Sequence, residues 1–366
     1  MTDIDYSLLD PPGDGTTIDP DAFLQAAIKW HFSEATGSPF WLSRARELDF
    51  DPLQDVRGFA DLRRFPNVVG ELRTVAVEDL IPRGYGQPAP VPQIFESGGT
   101  TGAPKRTIQT PDWIERSVQW QTQDYLRQGY ARNRGFLGVV PAGPHGVGHT
   151  ARLVANRLGS IFHPIDIDPR WAKKLAARAT ADEAAAYVDH LVEQVGYILA
   201  TQDIGNLFTT PPILTAMTRS DSLVDRVNQS VRFIVLGGAH LDPDTYSLFQ
   251  EIFPRITITM VFGNTMILAP AITREAEPTD GVFVFDPRTP YVTFEVVDPE
   301  SGEPVAVGDR GQVLAHHVSK VMFLPCNLER DSAIRFTGPE GQVGDSIGAV
   351  APVEAFEGEK VIEGVY

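Results

Sequence analysis

Between Asp21 and Glu34 the apolar residues Phe23, Ala26, Ala27 and Trp30 recur at helical spacing, which predicts an amphipathic helix after a Pro/Gly-rich lead. The stretch RGYGQPAPVPQ has no periodicity and reads as a connector. VPQIF then has strand character, and TPDWIERSVQWQTQDYL has that of a helix for which Thr110 or Asp112 supplies the cap. Further on, strand-like runs alternate with helical ones: GFLGVVPA, SIFHPIDI, the long amphipathic ADEAAAYVDHLVEQVGYILA, NLFTT, VRFIVLGG and ITITMVFG. This alternation predicts an α/β fold with βαβ units and parallel-rich sheets. The pattern changes near Gly281, where GVFVFD, YVTFEVVD, GQVLAHHV and GDSIGAVAPV are short strands divided by Gly, Pro and Asp. The expected division is residues 1–280 as an α/β region of two βα sublobes and 281–366 as a small β-rich lobe.

A chain of 366 residues, 42% hydrophobic and 22% charged, has the makeup of an ordinary globular protein. The net charge of -17 argues against a nucleic-acid or anionic-membrane surface, since both need clustered Lys and Arg. An anionic ligand must then be held by local donors. The single cysteine, Cys326, excludes an internal disulfide and a multi-cysteine zinc site and fits a reducing compartment. The acidic start MTDIDYSLLDPPGDG lacks the basic and apolar regions of a signal peptide, so a cytoplasmic protein is expected.

The segment ESGGTTGAPKR, Glu96 to Arg106, changes the picture most. Glycines let successive backbone N–H groups turn toward one anion, while the hydroxyls and the Lys105 ammonium add donors and charge. Lying between a predicted strand and a predicted helix, it occupies the usual phosphate-binding position. Its spacing fits neither G-x-x-x-x-G-K-[ST] nor G-x-G-x-x-G. It does fit S-G-[GS]-T-T-G-x-P-K, with Ser97, Gly98, Gly99, Thr100, Thr101, Gly102, Pro104 and Lys105 all matching. On these residues the chain resembles the acyl-adenylate-forming superfamily of acyl-CoA ligases, adenylation domains and luciferases, the resemblance covering the large N-terminal domain.

The remaining motifs follow from that resemblance. In VVPAGPHGVGH, His145 is the best match to a histidine near the acyl carboxylate, with His149 the weaker one. Gly237, Gly238 and Ala239, in RFIVLGGAHL, resemble the segment lining the adenine and acyl pockets. In TITMVFGNTM, Phe262 matches the aromatic that stacks on adenine, Gly263 its glycine, and Thr265 the α-phosphate hydroxyl, with Asn264 between them. The family's magnesium-ligating Glu is replaced by Met266, a poor ligand for a hard cation. Asp331, in PCNLERDSAIRF, is the expected ribose carboxylate, and Asp345 its competitor.

The resemblance implies ATP-dependent conversion of an aromatic or bulky carboxylic acid to an acyl-AMP. Thr265, Lys105 and His145 are the implied catalytic residues, ATP and Mg2+ the implied cofactors, and no protein metal site is expected. A separate acceptor, carrier or reductase protein would take the product. The end at Tyr366 implies that the family's C-terminal lid domain is lacking, as in the lidless aryl-acid adenylating proteins of phenazine-antibiotic biosynthesis. A non-catalytic nucleotide or acyl-adenylate scaffold is the alternative that Met266 and the expected lack of the lid favour.

Overall fold

The computed structural model describes residues 5–10, 18–97, 103–178, 181–275, 277–278, 281–353, 355–356 and 359–360. The first helix, Pro20–Phe32, begins earlier than its periodicity predicts because Asp19 accepts the N–H of Asp21 and Pro20 occupies the first turn. It buries Phe23, Ala27 and Trp30. This N-terminal segment is pinned to the far end of the chain. Trp30 Nε1 donates to Lys320 O at 2.9 Å, Trp41 Nε1 to Phe323 O at 2.9 Å, and His31 Nε2 to Ser319 O at 2.7 Å.

The parallel strands are β3 (Gly135–Val140), β4 (Phe162–Asp166), β5 (Ile204–Thr209), β6 (Phe233–Leu236) and β7 (Thr257–Phe262), preceded by the hairpin strands β1 (Gln93–Glu96) and β2 (Arg106–Gln109). Helices Gly146–Arg157, Ala181–Thr201, Asp221–Ser230 and Pro243–Ile252 lie among the crossovers. The central strands β5 and β6 are buried along their whole length, whereas β4, at the edge of the sheet, is only partly buried. β8 (Ala271–Thr273), β9 (Val284–Asp286), β10 (Val292–Val297), β11 (Arg310–Val318), β12 (Phe323–Phe336) and β13 (Ser346–Pro352) follow, all antiparallel.

The two halves form one 11-stranded sheet in the order β10-β11-β12-β13-β9-β8-β7-β6-β5-β3-β4. The antiparallel end curls into a half-barrel, because Phe294 of β10 bridges back to Asp345 at the entrance to β13. Between the halves the sheet has a narrow waist. β7 meets β8 only through Val261↔Ile272 and Phe262↔Ala271, β8 meets β9 through Ile272↔Asp286 and Thr273↔Phe285, and β9 meets β13 through Ile347↔Phe285 and Gly348↔Val284. Side chains reinforce it: Thr259 and Thr273 hydroxyls lie 2.9 Å apart, and Arg274 grips Asp286 in a fork.

One expectation is corrected. The segment after VPQIF does not connect a strand directly to a helix; β1 and β2 pair antiparallel, Glu96 opposite Arg106 and Gln93 opposite Gln109. The hairpin continues into the loop, where Ser97 N–H donates to Lys105 O at 2.9 Å and Lys105 N–H to Ser97 Oγ at 3.0 Å. Helix Pro111–Arg127 starts only after β2, with Thr110 as its N-cap residue.

Asp345 closes the half-barrel, accepting from Arg335 Nε at 2.8 Å and from Val296 N–H at 3.1 Å. Asp345→Ala leaves both donors unpaired and should cost about 1–3 kcal/mol of stability, read by guanidinium denaturation.

Candidate functional site

Because β3, β5, β6 and β7 are parallel, the turns after their carboxyl ends open on one side of the sheet, the position where open α/β sheets bind ligands. A cavity of about 380 Å³ lies there. Its lining brings together Ser97, Lys105, His145, Gly237, Gly238, Ala239, Phe262, Gly263, Asn264, Thr265 and Asp331. Gly98, Gly99, Thr100, Thr101 and Gly102 lie outside the described residues. His149 does not line the cavity; it sits in the first turns of helix Gly146–Arg157 with its ring 5.6 Å from that of Phe95. Asp345 is also absent from the lining, being occupied in the half-barrel.

The turn after β6 needs its glycines. A Cβ on Gly237 would lie 2.9 Å from Val261 Cγ2, and Gly238 has φ +77°. The turn after β7 is braced from three sides. Asn264 Oδ1 accepts the N–H groups of Met266 and Ile267, Trp113 Nε1 donates to Leu268 O, and His317 Nδ1 donates to Ile267 O at 2.9 Å. Burial keeps His317 neutral, lowering its pKa to about 3.

Glu96 joins the motifs. Its N–H donates to Pro144 O at 2.8 Å, and its carbonyl accepts from His145 Nδ1 at 3.0 Å and from Thr265 Oγ1 at 3.3 Å. Its carboxylate pairs with Arg106, at 3.0 Å, and with Arg170. Burial disfavours the charge, but the two guanidiniums outweigh it and hold the Glu96 carboxyl below its ordinary range. Burial lowers the pKa of His145 despite its bond to the Glu96 carbonyl, so the ring is a neutral donor through Nδ1. Its Nε2 is then left as an acceptor.

Along β12, the consecutive residues from Asn327 to Asp331 all line the cavity, over a stretch where the ladder to β11 is irregular. Glu329 is the residue that sequence reasoning missed. Its side chain accepts from Asn327 and Asn264, and burial, with Asp331 adding to it, pushes its carboxyl up to about 7 against the hydrogen bond from Asn264 and the charges of Lys105 and Arg330. Its only sequence signal is its nearness to Asp331 in LERD, which does not report the burial that sets it apart. The cavity can thus hold a flat ring beside Phe262, an anion beside Lys105 and Thr265, and a diol beside Asp331. For a hard cation it offers the Asp331 carboxylate, with the Glu329 carboxyl, which burial inclines to hold its proton, two residues away, whereas Met266 supplies only a thioether. Among the described residues no group of three or more His, Cys, Asp or Glu is placed to hold a metal ion by itself. Nor is any described helix long and apolar enough to cross a membrane.

Comparison with known proteins agrees with this arrangement. The family profile described as "AMP-binding enzyme" matches residues 93–322. The chain is 30% identical over 111 residues to 4-coumarate–CoA ligase-like 6 of Oryza sativa subsp. japonica, covering 30% of this chain and 19% of the relative. It is 27% identical over 221 residues to 4-coumarate–CoA ligase-like 4 of the same organism, covering 60% of this chain and 36% of the relative. The chain therefore matches well under half the length of these curated relatives. The crystal structure of a 2-hydroxyisobutyryl-CoA ligase in complex with 2-HIB-AMP and CoA superposes with a TM-score of 0.62 at 14% identity, covering 92% of this chain and 70% of that one, a likeness of fold.

A raised carboxyl pKa sets a sign for stability against pH. The fold holds the Glu329 proton more tightly than the unfolded chain does, so its stabilising contribution is complete below about pH 4.5 and lost as pH rises through about 7. Glu329→Gln should flatten the fall in melting temperature across that window, measured by calorimetry at stepped pH.

Proposed function

The chain belongs to the AMP-binding enzyme family, and from that premise we propose that it activates an aromatic or bulky carboxylic acid with ATP, giving an acyl-AMP and pyrophosphate. The observation that carries this reading is the meeting of Lys105, Phe262, Thr265 and Asp331 on one cavity whose motifs are tied together at Glu96. The acid's carboxylate attacks the α-phosphorus. Lys105 and the glycine loop neutralise the departing pyrophosphate, Thr265 meets the α-phosphate, and Asp331 accepts the ribose hydroxyls. Phe262 and the Gly237–Ala239 turn take the adenine, and His145 stands by the reacting carboxylate. The chemistry is positioning and charge stabilisation, so no protein nucleophile is required. Cys326 fits that exclusion, because burial pushes its thiol up to about 12.

Magnesium would accompany the nucleotide, with Asp331 as the carboxylate available to it and Glu329 joining only when deprotonated; bound, it would neutralise phosphate charge. In this reading residues 1–280 bind nucleotide and acid, and 281–366 contribute the ribose-binding strand. A cytoplasmic enzyme of phenazine-type secondary metabolism, passing its product to a separate acceptor, carrier or reductase, is the setting we propose. One observation supports a second reading. Met266 in place of the family's Glu favours a nucleotide or acyl-adenylate scaffold without turnover.

Acid-dependent exchange of labelled pyrophosphate into ATP separates the two, since only the enzyme shows it. Lys105→Ala should lose ~2 to 4 kcal/mol of transition-state stabilisation in this assay. Unchanged exchange would remove Lys105 from the mechanism.

Asp331→Asn should weaken ATP binding by ~1.5 to 3 kcal/mol per charge-assisted bond lost, read by calorimetry. Asp345→Asn should leave nucleotide affinity in place, and the reverse pattern would move the ribose site to β13.

A further inference from the structure

Gln109 ends β2 and lines the cavity, yet it is only 5% exposed and its buried Oε1 has no hydrogen-bond partner. An unpaired buried amide oxygen costs free energy that a ligand donor would recover. Among the described residues no protein group supplies one. Ser117, Gln121 and Tyr125 come to the same cavity from successive turns of helix Pro111–Arg127, but Gln121 Nε2 donates to Ser117 Oγ at 3.2 Å and to Ser117 O at 3.3 Å.

Gln109 lies away from the phosphate end. It is three residues beyond Arg106, the partner of Glu96, and at ~3.3 Å per residue about 10 Å farther along the strand. His145 and Thr265 mark the Glu96 level, where the reacting carboxylate would sit. The lining of the cavity also includes apolar Val140, Phe208, Met260 and Leu268. A buried polar acceptor in a cavity with apolar lining, about 10 Å along β2 from the Glu96 level, selects an apolar molecule that carries a donor remote from its reacting end.

Resting on the acid-activating reading, we propose that the acid bears a hydroxyl or amino substituent remote from its carboxylate, and that this group donates to Gln109 Oε1. Gln109 is then a specificity-determining residue. A site built to accept a hydrogen bond rejects the analogue lacking the donor more strongly than an apolar pocket rejects a missing methylene.

The test uses the whole chain and paired probes, benzoic and cinnamic acids with and without a ring hydroxyl or amino group. Pyrophosphate exchange reads turnover, and calorimetric titration of the acids reads binding independently. The wild-type chain should favour the donor-bearing member of a pair by ~10-fold or more. Gln109→Leu should bring that ratio close to one, and Gln109→Glu, which keeps an acceptor, should retain a preference. An equal or reversed wild-type preference overturns the proposal, as does an unchanged ratio in Gln109→Leu. A loss of ATP affinity in Gln109→Leu with the acid ratio intact also overturns it, placing the adenine amino group there instead. If no acid supports exchange, the adenylation reading fails while the binding ratio still decides the substituent.

Discussion

A single backbone carbonyl, that of Glu96, fixes the relative positions of three segments distant in sequence. It receives hydrogen bonds from His145 after β3 and from Thr265 after β7, while its own residue begins the glycine loop. A carbonyl has two lone pairs, and both are committed here. The carboxylate of the same residue is held by Arg106 and Arg170, so neither the peptide plane nor the side chain is free to rotate. Glu96, the histidine and the threonine are consequently set before any ligand arrives, which is where preorganised charge stabilisation acts.

The cavity has one wall from each half of the sheet. β3, β5, β6 and β7 supply the turns that carry His145, the glycines and Thr265, whereas β12 supplies Asn327, Glu329 and Asp331. The Asn264–Glu329 hydrogen bond spans the two walls. A buried carboxyl that keeps its proton near neutrality makes this bridge tolerable, because an ionised Glu329 would face the charge of Asp331 in a poorly solvated place. The net charge of the chain is strongly negative, and Arg73, Lys105 and Arg330 are the lysine and arginine residues that line the cavity.

The parallel half was legible because each strand is a short apolar run ending in a turn signature, VVPAGPH, FIVLGGA or MVFGNT, and these patterns need no long-range information. The hairpin was not. RTIQ is four residues long and runs straight into TPD, so the helix signal absorbed it, and its pairing with QIFE depends on a loop whose geometry composition does not specify. Asp331 could be placed from its motif, but Glu329 could not, since what distinguishes it is burial produced by the half-barrel. Arg170 was invisible for the same reason. It meets Glu96 across 74 residues of chain, and nothing in PRWAKK marks the contact.

The waist between the halves has a mechanical meaning. A sheet bends where its ladder is shortest, and here two-pair connections run from β7 through β8 and β9 to β13, directly behind the turn that carries Thr265. With only two residue pairs per connection, the waist is where the ladder resists bending least, and the Thr259–Thr273 and Arg274–Asp286 contacts are what stiffen it. A small rotation about it would tilt β12 toward or away from β7, changing the grip on a nucleotide while the longer ladders on either side stay closed. Amide deuteration would register this as early exchange at Ile272 and Phe285, with β5 and β6 protected long afterward.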